Sequence, residues 1–158
     1  MPKVKLDRID RKILNDLQEK GRMTNVELAE RAGISAPPCL RRVRALEEAG
    51  VIRGYHADID PGSLGYGVSI FAQVGLSSQS ETDLKKFEDL VKTWPLVREC
   101  YLVSGEADYI LKIVAEDWDA YQKFLTIHLS AAPNVSHIKS ALGVRVAKYK
   151  PGVPVDIE

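Results

Sequence analysis

The spacing of apolar residues in this chain changes character across Pro61-Gly62-Ser63-Leu64-Gly65-Tyr66-Gly67. Before it, apolar side chains recur at intervals of three and four, the period of helices with one buried face. After it, runs of alternation appear between shorter helical stretches. The two patterns need different backbones, so the chain is expected to build a helical unit followed by a mixed one. Proline and glycine at that density mark the joint.

The first block reads as three short helices. Asp7 is placed to cap the first, with Ile9, Ile13, Leu14 and Leu17 as its apolar stripe and Gly21 as its stop. Thr24 with Glu27 three residues on is a capping box for the second, which carries Leu28, Ala29 and Ala32 and stops at Gly33. Ser35 caps a third, with Leu40, Val43 and Leu46 as its expected buried face and Gly50 as its end. Pro37 and Pro38 fall in its first turn, where a missing amide costs nothing. Residues 51–59 read as an extended connector.

In the second block, Val68, Ile70, Ala72, Val74 and Leu76 alternate as in a half-buried strand. Residues 81–93 return to helical spacing, with Leu84, Phe87, Leu90 and Val91 inward. Strands follow at 97–103 and 109–115, then a helix with Trp118, Tyr121, Phe124 and Leu125 inward, and a last strand over 135–148. The order β-α-β, β-α-β predicts an α+β, ferredoxin-like arrangement, two helices on one face of an antiparallel sheet. The other face is left bare, and a second copy of the chain is its natural cover. The predicted organisation is residues 1–55 as a winged-type helix-turn-helix of three helices, 56–67 as linker, 68–150 as the ferredoxin-like unit and 151–158 as an irregular tail.

Charge separates the blocks as well. The whole chain is neutral, yet residues 1–55 hold 12 Lys and Arg against 8 Asp and Glu, while 56–158 hold 10 against 14. A basic module facing a polyanion, joined to an acidic one with another task, is the expectation. No apolar run approaches the roughly 20 residues of a membrane-spanning helix, and the N-terminal segment lacks a signal-peptide core; a cytoplasmic protein is expected. Cys39 and Cys100 are isolated and read as small buried hydrophobes. His56, His128 and His137 are too scattered for a metal site.

Two helices joined tightly through Gly33-Ile34-Ser35 are a helix-turn-helix by shape, over residues 25–44, although an ordinary αα-hairpin has the same shape. The third helix favours the former, because Arg41, Arg42 and Arg44 occur with no acid between Ser35 and Ala45. The planar guanidinium fork suits phosphate and the guanine edge alike. Candidate DNA contacts are Ser35, Pro38, Arg41, Arg42, Arg44 and Arg53. Arg41 and Arg42 are the base readers, Arg53 a phosphate contact. Arg44 is left open between DNA and an ion pair with Glu47 or Glu48.

The runs Leu6-Asp7-Arg8-Ile9-Asp10, Gly33-Ile34-Ser35, Cys39-Leu40-Arg41-Arg42-Val43-Arg44 and Gly50-Val51-Ile52-Arg53-Gly54-Tyr55, with Val103-Ser104-Gly105-Glu106-Ala107-Asp108 further on, resemble the Lrp/AsnC family of transcription regulators, its leucine-responsive branch above all. The resemblance implies dimers formed through the bare sheet faces, rings of dimers (commonly octamers) and double-stranded promoter DNA as partner. It also implies an amino-acid effector, leucine or another small one, bound between dimers. Carried onto this chain, the effector contacts are Leu102, Gly105 and Asp108, with Trp118, Ala141 and Leu142. Gly105 admits close approach of backbone amides to a carboxylate, and Asp108 can accept from an ammonium. The same two residues also suit a plain β-turn, and Trp118 suits core packing.

No catalytic constellation is present: Ser104 has no neighbouring histidine in sequence, and Gly105-Glu106-Ala107 is no phosphate loop. The expected function is therefore a non-enzymatic DNA-binding regulator of amino-acid metabolism genes, without a cofactor. An effector-independent architectural DNA binder, and an amino-acid-binding partner subunit whose helices contact protein, are the other classes the sequence allows.

Overall fold

The computed structural model describes residues 4–157, which divide into two compact units: 4–58 together with 148–157, and 59–147.

The first unit holds α1 (Arg8–Glu19), α2 (Asn25–Ala32) and α3 (Ala36–Glu48). Both α1 and α2 begin with reciprocal capping boxes, Asp7 with Asp10 and Thr24 with Glu27. The α2–α3 turn closes on Gly33, whose φ of 75° lies in the left-handed region where a side chain would be strained. There the Ile34 amide donates back to the Ala29 carbonyl at 3.0 Å. Ile13, Leu28, Ala29, Ala32, Cys39 and Leu46 form the core between the helices. Leu40, expected in that core, is instead exposed; α3 uses Cys39, Val43 and Leu46 inward. Ser35 occupies the cap position of α3 but makes no side-chain capping bond. Residues 51–58 carry no regular structure. The Tyr55 hydroxyl nonetheless donates to Glu47 Oε1 at 2.8 Å, tying the connector to α3.

The tail is irregular in backbone, yet docked. The Gln18 amide group pairs with Val153 as a strand would, donating to its carbonyl at 2.9 Å and accepting from its N–H at 2.8 Å. Arg11 donates to the Asp156 carbonyl and Lys150 pairs with Glu19 at 2.9 Å. Gly152 makes the approach possible: its φ is 88°, and a Cβ there would lie 2.1 Å from the Gln18 Oε1. Gly152→Ala is expected to detach the tail at a cost of about 1–2 kcal/mol, two exposed hydrogen bonds being worth roughly that. Loss of protection of the Val153 amide in hydrogen exchange, with the α1 amides still protected, is the corresponding observation.

The second unit contains β1 (Val68–Leu76), α4 (Glu81–Val91), β2 (Val97–Leu102), β3 (Tyr109–Ala115), α5 (Trp118–Phe124) and β4 (Val135–Leu142). The strand order is β2-β3-β1-β4, antiparallel throughout, which is the ferredoxin-like order. Alternation decides the two faces. Ile70, Ala72 and Val74 of β1 and Tyr109, Leu111 and Ile113 of β3 point into a core closed by Phe87, Trp94, Tyr121, Phe124 and Leu129. Phe71 and Tyr101 stand out from the opposite face, 44% and 57% exposed.

Two expectations change here. The last strand ends at Leu142 rather than near 148, after which the chain is exposed and irregular. Trp118 opens α5 at 41% exposure instead of pointing inward, its ring 5.3 Å from that of the buried Tyr121. After Phe124 the helix continues for one widened turn, Leu125–Leu129, which carries Leu129 into the core.

Candidate functional site

With Cys39, Val43 and Leu46 inward, α3 presents Pro37, Leu40, Arg41 and Arg44 to solvent. These positions are three, four and seven residues apart, one continuous helical face. Among the described residues Arg41 and Arg44 have neither an ion-pair nor a hydrogen-bond partner. The ion pair considered between Arg44 and Glu47 or Glu48 is absent; Glu47 serves Tyr55. Arg53 is exposed as well. A planar, permanently charged donor fork standing free on a helix surface is suited to phosphate oxygens and to the guanine edge.

Arg42 departs from the expectation. Its Nη1 donates to Asp7 Oδ2 and to Asp10 Oδ1, both at 2.7 Å, so it points at the cap of α1 rather than outward. Position 42 flanks the buried stripe, and a long side chain there reaches the neighbouring helix. The two carboxylates form the capping box of α1, so one guanidinium joins the start of α1 to the middle of α3. The Asp7 carboxyl is held below its ordinary value by the Asp10 amide and then by this guanidinium. Sequence reasoning missed this pairing: it took Asp7 as the cap of α1 and Arg42 as a base reader.

The start of α3 is a weaker anion site than its position suggests. Pro37 and Pro38 have no N–H, and the Cys39 amide already bonds the Ser35 carbonyl at 3.3 Å. What remains is the Ser35 hydroxyl and the Ala36 amide. Pro38 is half-buried. Asn25 braces this end: its Nδ2 donates to the Ala36 carbonyl at 2.9 Å, while its buried Oδ1 has no partner among the described residues.

The effector candidates fall into two groups. Leu102, Gly105 and Asp108 sit on the β2–β3 turn, beside the end of β1. Gly105 has φ 139°, backbone that side chains rarely adopt. Asp108 Oδ2 accepts from the Leu76 amide at 2.6 Å and from Gln79 Nε2 at 3.3 Å, and its own N–H bonds the Val74 carbonyl. That carboxylate therefore already braces the turn. Ala141 and Leu142 pair with Phe71 and Ile70 near the other end of β1, and Trp118 follows Ala115, which pairs with Val68. Five residues along a strand separate the two levels, roughly 17 Å at strand rise. One subunit does not bring all six together. Cys100, on the helix-covered face, is half-buried, and burial pushes its thiol up to about 11; Cys39 is wholly buried, its thiol raised for the same reason.

Comparison with known proteins matches both units. Residues 6–53 fit a family model described as winged helix-turn-helix DNA-binding, and residues 69–153 fit the Lrp/AsnC ligand binding domain. A leucine-responsive regulatory protein of Rhizobium meliloti (strain 1021) is 54% identical over 146 residues, covering 92% of this chain and 94% of its own length. The Bkd operon transcriptional regulator of Pseudomonas aeruginosa is 41% identical, covering 95% and 98%. Among solved structures, a transcriptional regulator from Neisseria meningitidis in complex with L-Met superposes with a TM-score of 0.92 at 36% identity, over 96% of this chain and 98% of that one.

Proposed function

The chain belongs to the Lrp/AsnC family of transcription regulators, and on that premise we propose that it binds double-stranded promoter DNA through α3 as a homodimer and responds to a small amino acid. Arg41 and Arg44 enter the major groove, and Arg53 and Ser35 hold the flanking phosphates. The observation that carries this reading is the free arginine face of α3, in a unit whose remaining long cation on that helix, Arg42, is held internally.

Dimers form through the sheet face opposite the helices, where Phe71 and Tyr101 are exposed. A two-fold axis there presents two recognition helices to successive major grooves, about 34 Å apart, of a pseudo-palindromic site. Dimers assemble further, to an octamer, and regulate genes of amino-acid metabolism in the cytoplasm without catalysing a reaction. No helix among the described residues is long and apolar enough to cross a membrane. The effector, leucine or a similar amino acid, binds where subunits meet. The separation of Gly105 and Asp108 from Trp118, Ala141 and Leu142 supports this, since a site using both groups has to draw them from different copies. The complex of the Neisseria relative with L-Met supports an amino acid as the ligand class. The effector changes DNA binding only to the extent that it favours one assembly over another.

A thermal-shift screen of the twenty amino acids, paired with fluorescence anisotropy on genomic duplexes, tests the proposal. An effector at a hundred times its Kd stabilises the folded state by about 2.7 kcal/mol, a rise of several degrees. The same compound is expected to alter the affinity for DNA. DNA binding with a steep salt slope and no response to any amino acid would favour an architectural binder instead.

A further inference from the structure

We propose that Leu40 is a specificity-determining contact, its side chain meeting the C5-methyl of a thymine on the major-groove floor beside Arg41. The inference rests on the reading of α3 as the recognition helix. Leu40 is 38% exposed and lies on the Pro37–Leu40–Arg41–Arg44 face, to the side of the stripe that buries Cys39 and Leu46. An apolar side chain at this place has no partner within the subunit's core, while the cations beside it have no partner among the described residues. The helix surface from Ser35 to Leu46 carries no acid, so the whole face complements a polyanion.

The floor of the major groove offers donors and acceptors at every base pair, but one apolar group only, the thymine methyl. Arginines on such a face select guanine edges and phosphates; they leave a leucine beside them facing either an unsatisfied polar edge or that methyl. Contact with the methyl removes apolar surface from water on both sides. Contact with a polar edge instead strips water from a donor or acceptor without replacing it, which disfavours other bases. Pro37, one turn earlier and also exposed, extends the apolar strip toward the start of the helix.

The test starts from duplexes selected by the full-length protein from a randomised library. The tightest is resynthesised with deoxyuridine replacing thymine one position at a time, which deletes the methyl and leaves base pairing intact. In each half-site one replacement is expected to weaken binding about fourfold, the worth of one buried carbon. Leu40→Ala is expected to bind the thymine and uracil duplexes equally and to melt as the parent does. The uracil series on the unaltered protein needs no variant, so a folding defect in Leu40→Ala cannot shield the idea. Insensitivity of the parent at every thymine overturns it, as does equal sensitivity in parent and variant. Failure to enrich any duplex would overturn it together with the groove reading itself, a result distinct from tight binding that ignores the methyl.

Discussion

Alanine at Arg41 is expected to weaken binding to a selected duplex by at least about fivefold per half-site, while alanine at its neighbour Arg42 mainly lowers the melting temperature. The two side chains are adjacent in sequence and opposite in circumstance. Arg41 is exposed with no partner among the described residues, and a bidentate arginine–guanine contact discriminates by about 1–3 kcal/mol. Removing it disturbs nothing inside the subunit, so its stability change is expected within about 0.5 kcal/mol. Arg42 bridges Asp7 and Asp10 at 2.7 Å each, and the Asp10 side chain is only 15% exposed. Its loss leaves two carboxylates facing each other across a helix cap, at a cost of about 1–2 kcal/mol after allowing for solvent screening. Anisotropy titrations and circular-dichroism melts on both variants decide the matter. Equal losses of stability would make Arg41 structural; unchanged stability in Arg42→Ala would remove the bridge from solution.

Tyr109→Ala is expected to destabilise the second unit by about 3–5 kcal/mol, the usual cost of deleting a buried aromatic ring. Tyr109 is 1% exposed at the start of β3, its ring 4.8 Å from that of Phe87, and its hydroxyl donates to Glu88 Oε1 at 2.9 Å. The hydroxyl thus ties the sheet to α4, and burial with this carboxylate raises its pKa far above the ordinary tyrosine value. Tyr109→Phe removes the hydrogen bond alone and is expected to cost about 1 kcal/mol. Urea unfolding followed by tryptophan fluorescence separates the cases, because both tryptophans, Trp94 and Trp118, lie in residues 59–147 and report on that unit. A loss below about 1 kcal/mol in the alanine variant would mean that the β3–α4 contact contributes little in solution.

The parts of this molecule that were legible in its residues are those set by short-range rules. The Asp7 cap, the Thr24–Glu27 capping box, the Gly33 stop and the alternation of β1 each act within a few residues, and each appears where its pattern lies. Helix phase was less secure. Choosing Leu40, Val43 and Leu46 as the buried stripe follows hydrophobicity at a strict interval of three, which drifts around a helix by about 60° per step. Intervals of four and three through Cys39, Val43 and Leu46 stay on one side, and that is the stripe α3 buries.

Local pattern therefore determined the elements, their order and the presence of a cationic third helix. Tertiary structure alone decided which cation stays free and which is bound, because Arg42 meets Asp7 and Asp10 across more than thirty residues. It also decided that the tail lies on α1, and that the effector candidates stand at two ends of a sheet. Contacts between distant residues depend on how elements pack, and spacing along a chain carries no record of that packing.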